Sequence, residues 1–240
     1  MHNSGISLSG EIEKLNFDKT LESIPKRPKH NLEEIEESEK QKVIRRNLAR
    51  LYKPAKGLRD KYLKTYQVTQ GQQQQSAKDR VVRICENIRR FVGEGNQLIL
   101  WGNIGTGKDH LAFAALRHAV SEGYSAVWRE GLSIYEEVAD AYREDKTHKE
   151  IYRTYAFPDI LCISDPVFVC NWTQAKQEAL RKIVRLRYDA GKTTWITVNV
   201  KSVDQIGEMA GFDTLDRIFH KAAVIPCQWE SYRKGERSEF

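Results

Sequence analysis

GNIGTGKDHLA, Gly102 to Ala112, follows the short apolar run NQLILW and precedes a segment with helical periodicity. A glycine, four residues, then Gly107 and Lys108 is the spacing of a phosphate-binding loop, in the strand, loop, helix context that the pattern requires. Glycines let backbone amides turn inward around phosphates, Lys108 supplies a point charge, and the following helix adds the positive end of its dipole. The spacing therefore predicts a nucleotide site built from Gly102, Asn103, Ile104, Gly105, Thr106, Gly107, Lys108, Asp109 and His110. One position breaks the pattern: Asp109 stands where such loops carry a serine or threonine hydroxyl.

Outward from this loop, helical and strand periods alternate. Val81, Ile84, Ile88 and Val92 recur at helical spacing ahead of the first strand. After it come a helix from Lys108 to about Glu122, a strand SAVWRE, a helix LSIYEEVADAYRE, a strand DILCIS, a helix QAKQEALRKIVRLRYDAG and a strand TTWITVN. Strands that are apolar throughout and separated by helices imply an α/β fold, a parallel sheet sandwiched by helices.

The chain of 240 residues is long enough for one substantial core with an appendage. Its formal charge of +6 makes an anionic partner plausible, with nucleic acid first among them. No run of about 18 apolar residues exists and the start has no apolar core behind a basic end, so neither a membrane span nor a secretory signal is expected, and the cytoplasm is the expected location. Cys85, Cys162, Cys170 and Cys227 are far apart and read as small buried hydrophobes.

Residues 1–63 form an expected helical and flexible N-terminal extension, a candidate partner-binding segment, with the nucleotide-binding domain at 64–240. Residues up to about 30, with Pro25 and Pro28, hold too few apolar groups to fold alone. From Asn31 a helix is expected, with a thin apolar stripe of Leu32, Ile35, Val43, Leu48 and Leu51 that suits either solvent or a docked partner. Between Gln41 and Lys64 nine lysines and arginines face one acid, Asp60, interleaved with Tyr52 and Tyr62; phosphate contact and a solvated linker are both open for it. The low-complexity GQQQQ that follows marks an expected boundary. On the helix carrying RKIVRLRY, Arg181, Lys182 and Arg185 are candidate DNA contacts, Arg181 and Arg185 sharing a face.

The loop and several ordered matches downstream resemble the DnaC-type bacterial helicase loaders, of the AAA+ phosphate-loop group that includes the IstB-type transposition helpers. The matches are GNIGTGKDHLA, YQVTQGQ near Tyr66, RYDAGKTTWITVN at Arg187 to Asn199, LDRI at Leu215 to Ile218 and QWESYR at Gln228 to Arg233. The resemblance implies that Asn199 is the polar sensor that positions the attacking water. It makes Arg217 the finger that reaches a neighbouring subunit's nucleotide, and Arg233 a second sensor on the subunit's own. It also implies ATP or ADP with Mg²⁺ as ligands, and a homo-oligomer assembled on a replicative DNA helicase and single-stranded DNA. An IstB-like transposition helper, or a nucleotide-independent adaptor or inhibitor, are the alternatives.

Where the family's metal-binding strand ends in an Asp-Glu pair, DILCISDPV offers Ser164 and Asp165, or Asp165 and Pro166 in the shifted register. Asp109 compounds the departure. Two like charges about 4 Å apart repel by about 4 kcal/mol at an effective dielectric of about 20, and a cation between them reverses the sign. Either Asp109 and Asp165 share the magnesium, or the site holds nucleotide with weak or absent hydrolysis. The second is favoured, because hydrolysis needs both a placed cation and a group that orients water.

Overall fold

The computed structural model describes residues 32–143, 148–167 and 172–233. The proline-containing polar stretch before residue 32 and Cys170 lie outside them, as do the side chains of Leu32 and Ile35. In chain order the elements are α1 (Leu32–Tyr52), α2 (Gln72–Glu86), α3 (Ile88–Gly93), β1 (Gln97–Gly102), α4 (Lys108–Ser121), β2 (Ala126–Glu130), α5 (Gly131–Arg143), α6 (His148–Ala156), β3 (Ile160–Ser164), α7 (Gln174–Asp189), β4 (Thr193–Val198), α8 (Asp204–Ala210), α9 (Phe212–Phe219) and β5 (Ala222–Cys227).

The strands form one sheet in the order β2-β3-β4-β1-β5, and every pairing is parallel. All residues of β3 and β4 are buried, as the near-continuous apolar runs require of strands covered on both faces. Alternation along β1 divides the core in two. Leu98 and Leu100 face a cluster with Val81, Ile84, Leu111 and Phe113 of α2 and α4. Ile99 faces Ile134, Tyr155, Ile183 and Ile218 of α5, α6, α7 and α9. The α/β expectation is met. Among the described residues, no helix is long and apolar enough to cross a membrane.

Parallel pairing brings the carboxyl ends of the strands to one edge, where ligands of open α/β sheets bind. The loop after β1, Ser164 at the end of β3, Thr197 and Asn199 at the end of β4 and the segment after β5 all emerge there. Register fixes the alignment: Ser164 lies beside Thr197, and Trp101 beside Val198.

Four expectations need correction. The compact unit begins at Gln41 rather than near Lys64, because Leu51 and Ala55 are 1% and 2% exposed within the core around α2 and α4. Of the remaining stripe in that unit, Leu48 packs on the same core while Val43 is exposed. The GQQQQ stretch is no boundary, since Gly71 precedes α2 and Gln74 is fully buried. The Gln74 side chain accepts from the Thr69 and Gln70 amides at 2.9 and 2.8 Å and donates to the Gln67 carbonyl at 3.0 Å. The helical run through Val81 to Val92 is broken at Asn87 into α2 and α3.

The fourth correction is β5, absent from the sequence reading. Its AAVIPC carries a proline that argues against a strand, yet β5 is the sheet's edge, where proline is tolerated.

Candidate functional site

A cavity of about 530 Å³ opens at the carboxyl edge of the sheet. It is lined by the loop from Ile104 to His110, by Asp165, Thr197 and Asn199, by Tyr232 and Arg233, and by Leu58, Lys61, Thr65, Tyr66 and Gln67. Its volume falls in the usual range for small-molecule sites.

The loop is tied to neighbouring segments through its carbonyls. Gly105 accepts from the Tyr232 amide at 3.0 Å. Thr106 accepts from the Trp229 indole at 3.0 Å and the Tyr66 hydroxyl at 3.2 Å. Among the described residues, the amides of Ile104, Gly105, Thr106 and Gly107 find no backbone acceptor. A row of such donors ahead of a helix is an anion cradle. Gly105 and Gly107 have φ of +78° and +86°, and a Cβ on them would lie 2.0 Å from the Ser231 hydroxyl and 2.8 Å from the Tyr66 ring. Only glycine allows the wall to close this tightly.

Lys108 is 6% exposed, and its ammonium donates to the Gly102 and Asn103 carbonyls at 3.2 and 2.5 Å. Gly102 and Asn103 therefore do not line the cavity; they hold the lysine, and the Asn103 side-chain amide donates to the Trp229 carbonyl at 3.1 Å. Burial lowers the Lys108 pKa, partly opposed by the nearby carboxylates of Asp165 and Asp109. A polyphosphate would supply the anion that this desolvated ammonium lacks. His110 turns to the Tyr62 carbonyl at 2.8 Å and the Thr65 hydroxyl at 3.2 Å, and burial lowers its pKa.

Asp109 takes a hydrogen bond on Oδ1 from the Ser164 hydroxyl at 2.9 Å and another from the Thr197 hydroxyl. Asp165, at φ +47°, is paired differently. Its Oδ1 accepts from the Asn199 amide at 2.9 Å and its Oδ2 from the Asn199 side chain. Burial raises the Asp165 pKa, against the lowering effect of the Asn199 amide. Of the two possible registers, Ser164 is thus the residue facing the loop and Asp165 the one facing Asn199. The residues fit a nucleotide, through the free amides and Lys108. A cation fits beside Asp109, whose Oδ2 is used by neither hydroxyl. Asp165, with both oxygens on Asn199, suits a metal less than the sequence suggested.

Arg233 lines the cavity, while Arg217 does not: on α9 it is paired with Asp213 at 3.2 Å. Arg181 and Arg185 are exposed on α7, in pairs with Glu178 at 3.2 Å and Asp189 at 3.7 Å, and the Lys182 ammonium lies 4.0 Å from the Tyr152 ring centre. Arg187 is structural. Fully buried, it donates to the Thr194 hydroxyl at 3.0 Å, to the Tyr155 and Pro158 carbonyls at 2.8 and 2.9 Å and to the Asp159 carbonyl at 3.1 Å, with its pKa pushed down by burial to about 9. Cys85, Cys162 and Cys227 are buried and free. Among the described residues, no three His, Cys, Asp or Glu side chains come together as a metal cluster.

Sequence reasoning missed Tyr66, Thr197, Trp229, Ser231 and Tyr232. The strings YQVTQGQ, RYDAGKTTWITVN and QWESYR contain all five without giving them a role; within its string Thr197 is one of several threonines of a β-branched strand.

An insertion-sequence ATP-binding protein of Geobacillus stearothermophilus is 26% identical over 181 residues, covering 73% of this chain and 70% of the relative. The crystal structure of the DnaC helicase loader shares the fold with a TM-score of 0.63 at 21% identity, over 70% of this chain and 97% of that one. The replication initiator DnaA, bound to AMPPCP and single-stranded DNA, does so with a TM-score of 0.57 at 20% identity, over 71% of this chain and 50% of that one. The IstB-like ATP binding protein family matches residues 19–240. With the phosphate loop formed and the match running through nearly the whole sequence, the chain belongs to the IstB-like ATP binding protein family, on a P-loop α/β fold.

Proposed function

We propose that this chain is a DNA replication accessory protein of the DnaC-type loader kind. It holds ATP or ADP at the loop from Ile104 to His110, binds single-stranded DNA and delivers a replicative helicase, hydrolysing nucleotide weakly or not at all. The observation that supports nucleotide binding is the loop itself, whose carbonyls are tied to Tyr66, Trp229 and Tyr232 while the amides of Ile104 to Gly107, residues that line the cavity, find no backbone acceptor among the described residues. Weak hydrolysis is supported by Asp165, whose two oxygens are occupied by Asn199, and by a serine at position 164. Subunits stand side by side on DNA, with Arg217 of one beside the nucleotide of the next.

The insertion-sequence relative favours a second reading, a transposition helper that assembles on duplex DNA and recruits a transposase. A pull-down against a replicative helicase, beside filament formation on duplex DNA, separates the two. For the site itself the measurement is thermal shift: nucleotide at about 100 times its dissociation constant stabilises the fold by about 2.7 kcal/mol. No shift with ATP or ADP would leave a nucleotide-independent adaptor. A turnover on the order of 1 per second that vanishes in Lys108→Ala would refute weak hydrolysis.

A further inference from the structure

We infer that Asp109 and Ser164 have exchanged the two side-chain roles that hold a divalent cation beside a bound polyphosphate, so that the Asp109 carboxylate is the cation's protein ligand and Asp165 is not. The inference rests on the nucleotide-binding reading.

In phosphate-loop proteins the loop contributes a hydroxyl and a neighbouring strand end contributes a carboxylate, and the two share the Mg²⁺. Here the same two groups are present with their positions reversed, and they touch: the Ser164 hydroxyl donates to Asp109 Oδ1 at 2.9 Å. Thr197, in register beside Ser164 on β4, donates to the same oxygen. Two hydroxyls thus converge on one carboxylate oxygen and aim the side chain, while Oδ2 takes neither bond. Asp109 also lines the cavity, as do Lys108 and Asp165. Mg²⁺ needs only one or two carboxylates when phosphates and water complete its shell.

Asp165 is held out of that role. Its Oδ1 accepts from the Asn199 amide at 2.9 Å, its Oδ2 from the Asn199 side chain, and its own amide donates to the Thr197 carbonyl at 2.7 Å. Reorienting Asp165 toward a cation would disturb a contact on each oxygen and turn a left-handed residue packed under Gly131, where a Cβ would come within 2.6 Å of the Asp165 carbonyl. Asp109 needs no such rearrangement.

The exchange moves the negative charge from the strand end to the loop, next to the phosphates. Without a cation that charge opposes the nucleotide, and with one it assists. Cation dependence should therefore be steep and should belong to Asp109.

The test is binding of fluorescent ADP and ATP to the full chain in MgCl₂ or in EDTA, with Mn²⁺ electron paramagnetic resonance as a second readout. Wild type should bind about tenfold or more tighter with Mg²⁺. Asp109→Asn should lose that gain and bind better than wild type in EDTA, and Asp165→Asn should keep it. The paired exchange Asp109→Ser with Ser164→Asp, which retains both groups, should keep the gain and the bound-Mn²⁺ signal even if a single variant folds poorly. A gain that survives Asp109→Asn, or is lost in Asp165→Asn or in the paired exchange, would overturn the assignment. Equal wild-type binding in Mg²⁺ and EDTA would also overturn it while sparing the nucleotide site; no wild-type binding in either would remove the nucleotide reading itself.

Discussion

Asn199 engages both oxygens of Asp165, one through its backbone amide and one through its side chain. The bond joins the end of β4 to the turn after β3, at the point where the sheet edge opens into the cavity. It stabilises a carboxylate whose burial raises its pKa.

Asn199→Ala keeps the backbone bond and loses the other, so the fold should lose about 1–3 kcal/mol, read as a lower denaturation midpoint. The pH dependence has a definite sign. A carboxyl whose folded pKa is raised favours the fold below its unfolded value of about 3.9, and that contribution is lost as pH rises through the folded value. Asn199→Ala, which removes a lowering influence, should push the loss to higher pH; Asp165→Asn should abolish it.

The loop should not tolerate a methyl at Gly105. Gly105→Ala places Cβ 2.0 Å from the Ser231 hydroxyl at a positive φ, and should displace the segment after β5 and weaken ADP binding. Ser231→Gly in the same chain should recover part of the affinity. Fluorescence from Trp229, whose indole donates to the neighbouring Thr106, reports the displacement; equal effects with serine or glycine at 231 would contradict a steric cause.

Phosphate binding needs charged Lys108, and burial lowers its pKa from 10.5. Affinity for ADP should therefore begin to fall at a pH below 10.5 as the free ammonium deprotonates. A titration of binding from pH 7 upward that stays flat to pH 10.5 would show that the lysine is not desolvated as described.

Arg187→Met should be among the most damaging core substitutions. It strands the Tyr155, Pro158 and Asp159 carbonyls and the Thr194 hydroxyl, and should cost about 3–5 kcal/mol by urea unfolding. Arg187→Lys, without the planar fork, should recover little of it.

If α7 tracks a phosphate backbone, changing Arg181, Lys182 and Arg185 together to Ala should flatten the salt dependence of single-strand binding by about 2 log units per log unit of salt. Their pairings with Glu178 and Asp189 are exposed and weak, so releasing them costs under about 1 kcal/mol each. An unchanged slope places the contact elsewhere.

The parallel sheet and the phosphate loop were legible because each is local: an apolar run, glycines and a lysine in fixed order, then a helical period. Gln74 shows where locality fails. A glutamine-rich string looks like a linker until its one inward residue meets the Gln67 carbonyl and the Thr69 and Gln70 amides. Pro226 misleads in the same way, since only its position on the sheet's edge makes it a strand residue. Tyr66, Thr197 and the Ser231–Tyr232 pair reach the site from three segments far apart in the chain, and the strings that contain them gave these residues no role.

By itself, then, the sequence determined the α/β class and the place of the loop, and it exposed the two substitutions, an acid at 109 and a serine at 164, as separate departures. Only the tertiary structure brought the two side chains into contact. Parallel pairing of β3 with β4 and of β4 with β1 carries residues 55 positions apart to a 2.9 Å hydrogen bond, and a contact made through sheet register has no periodicity from which to read it.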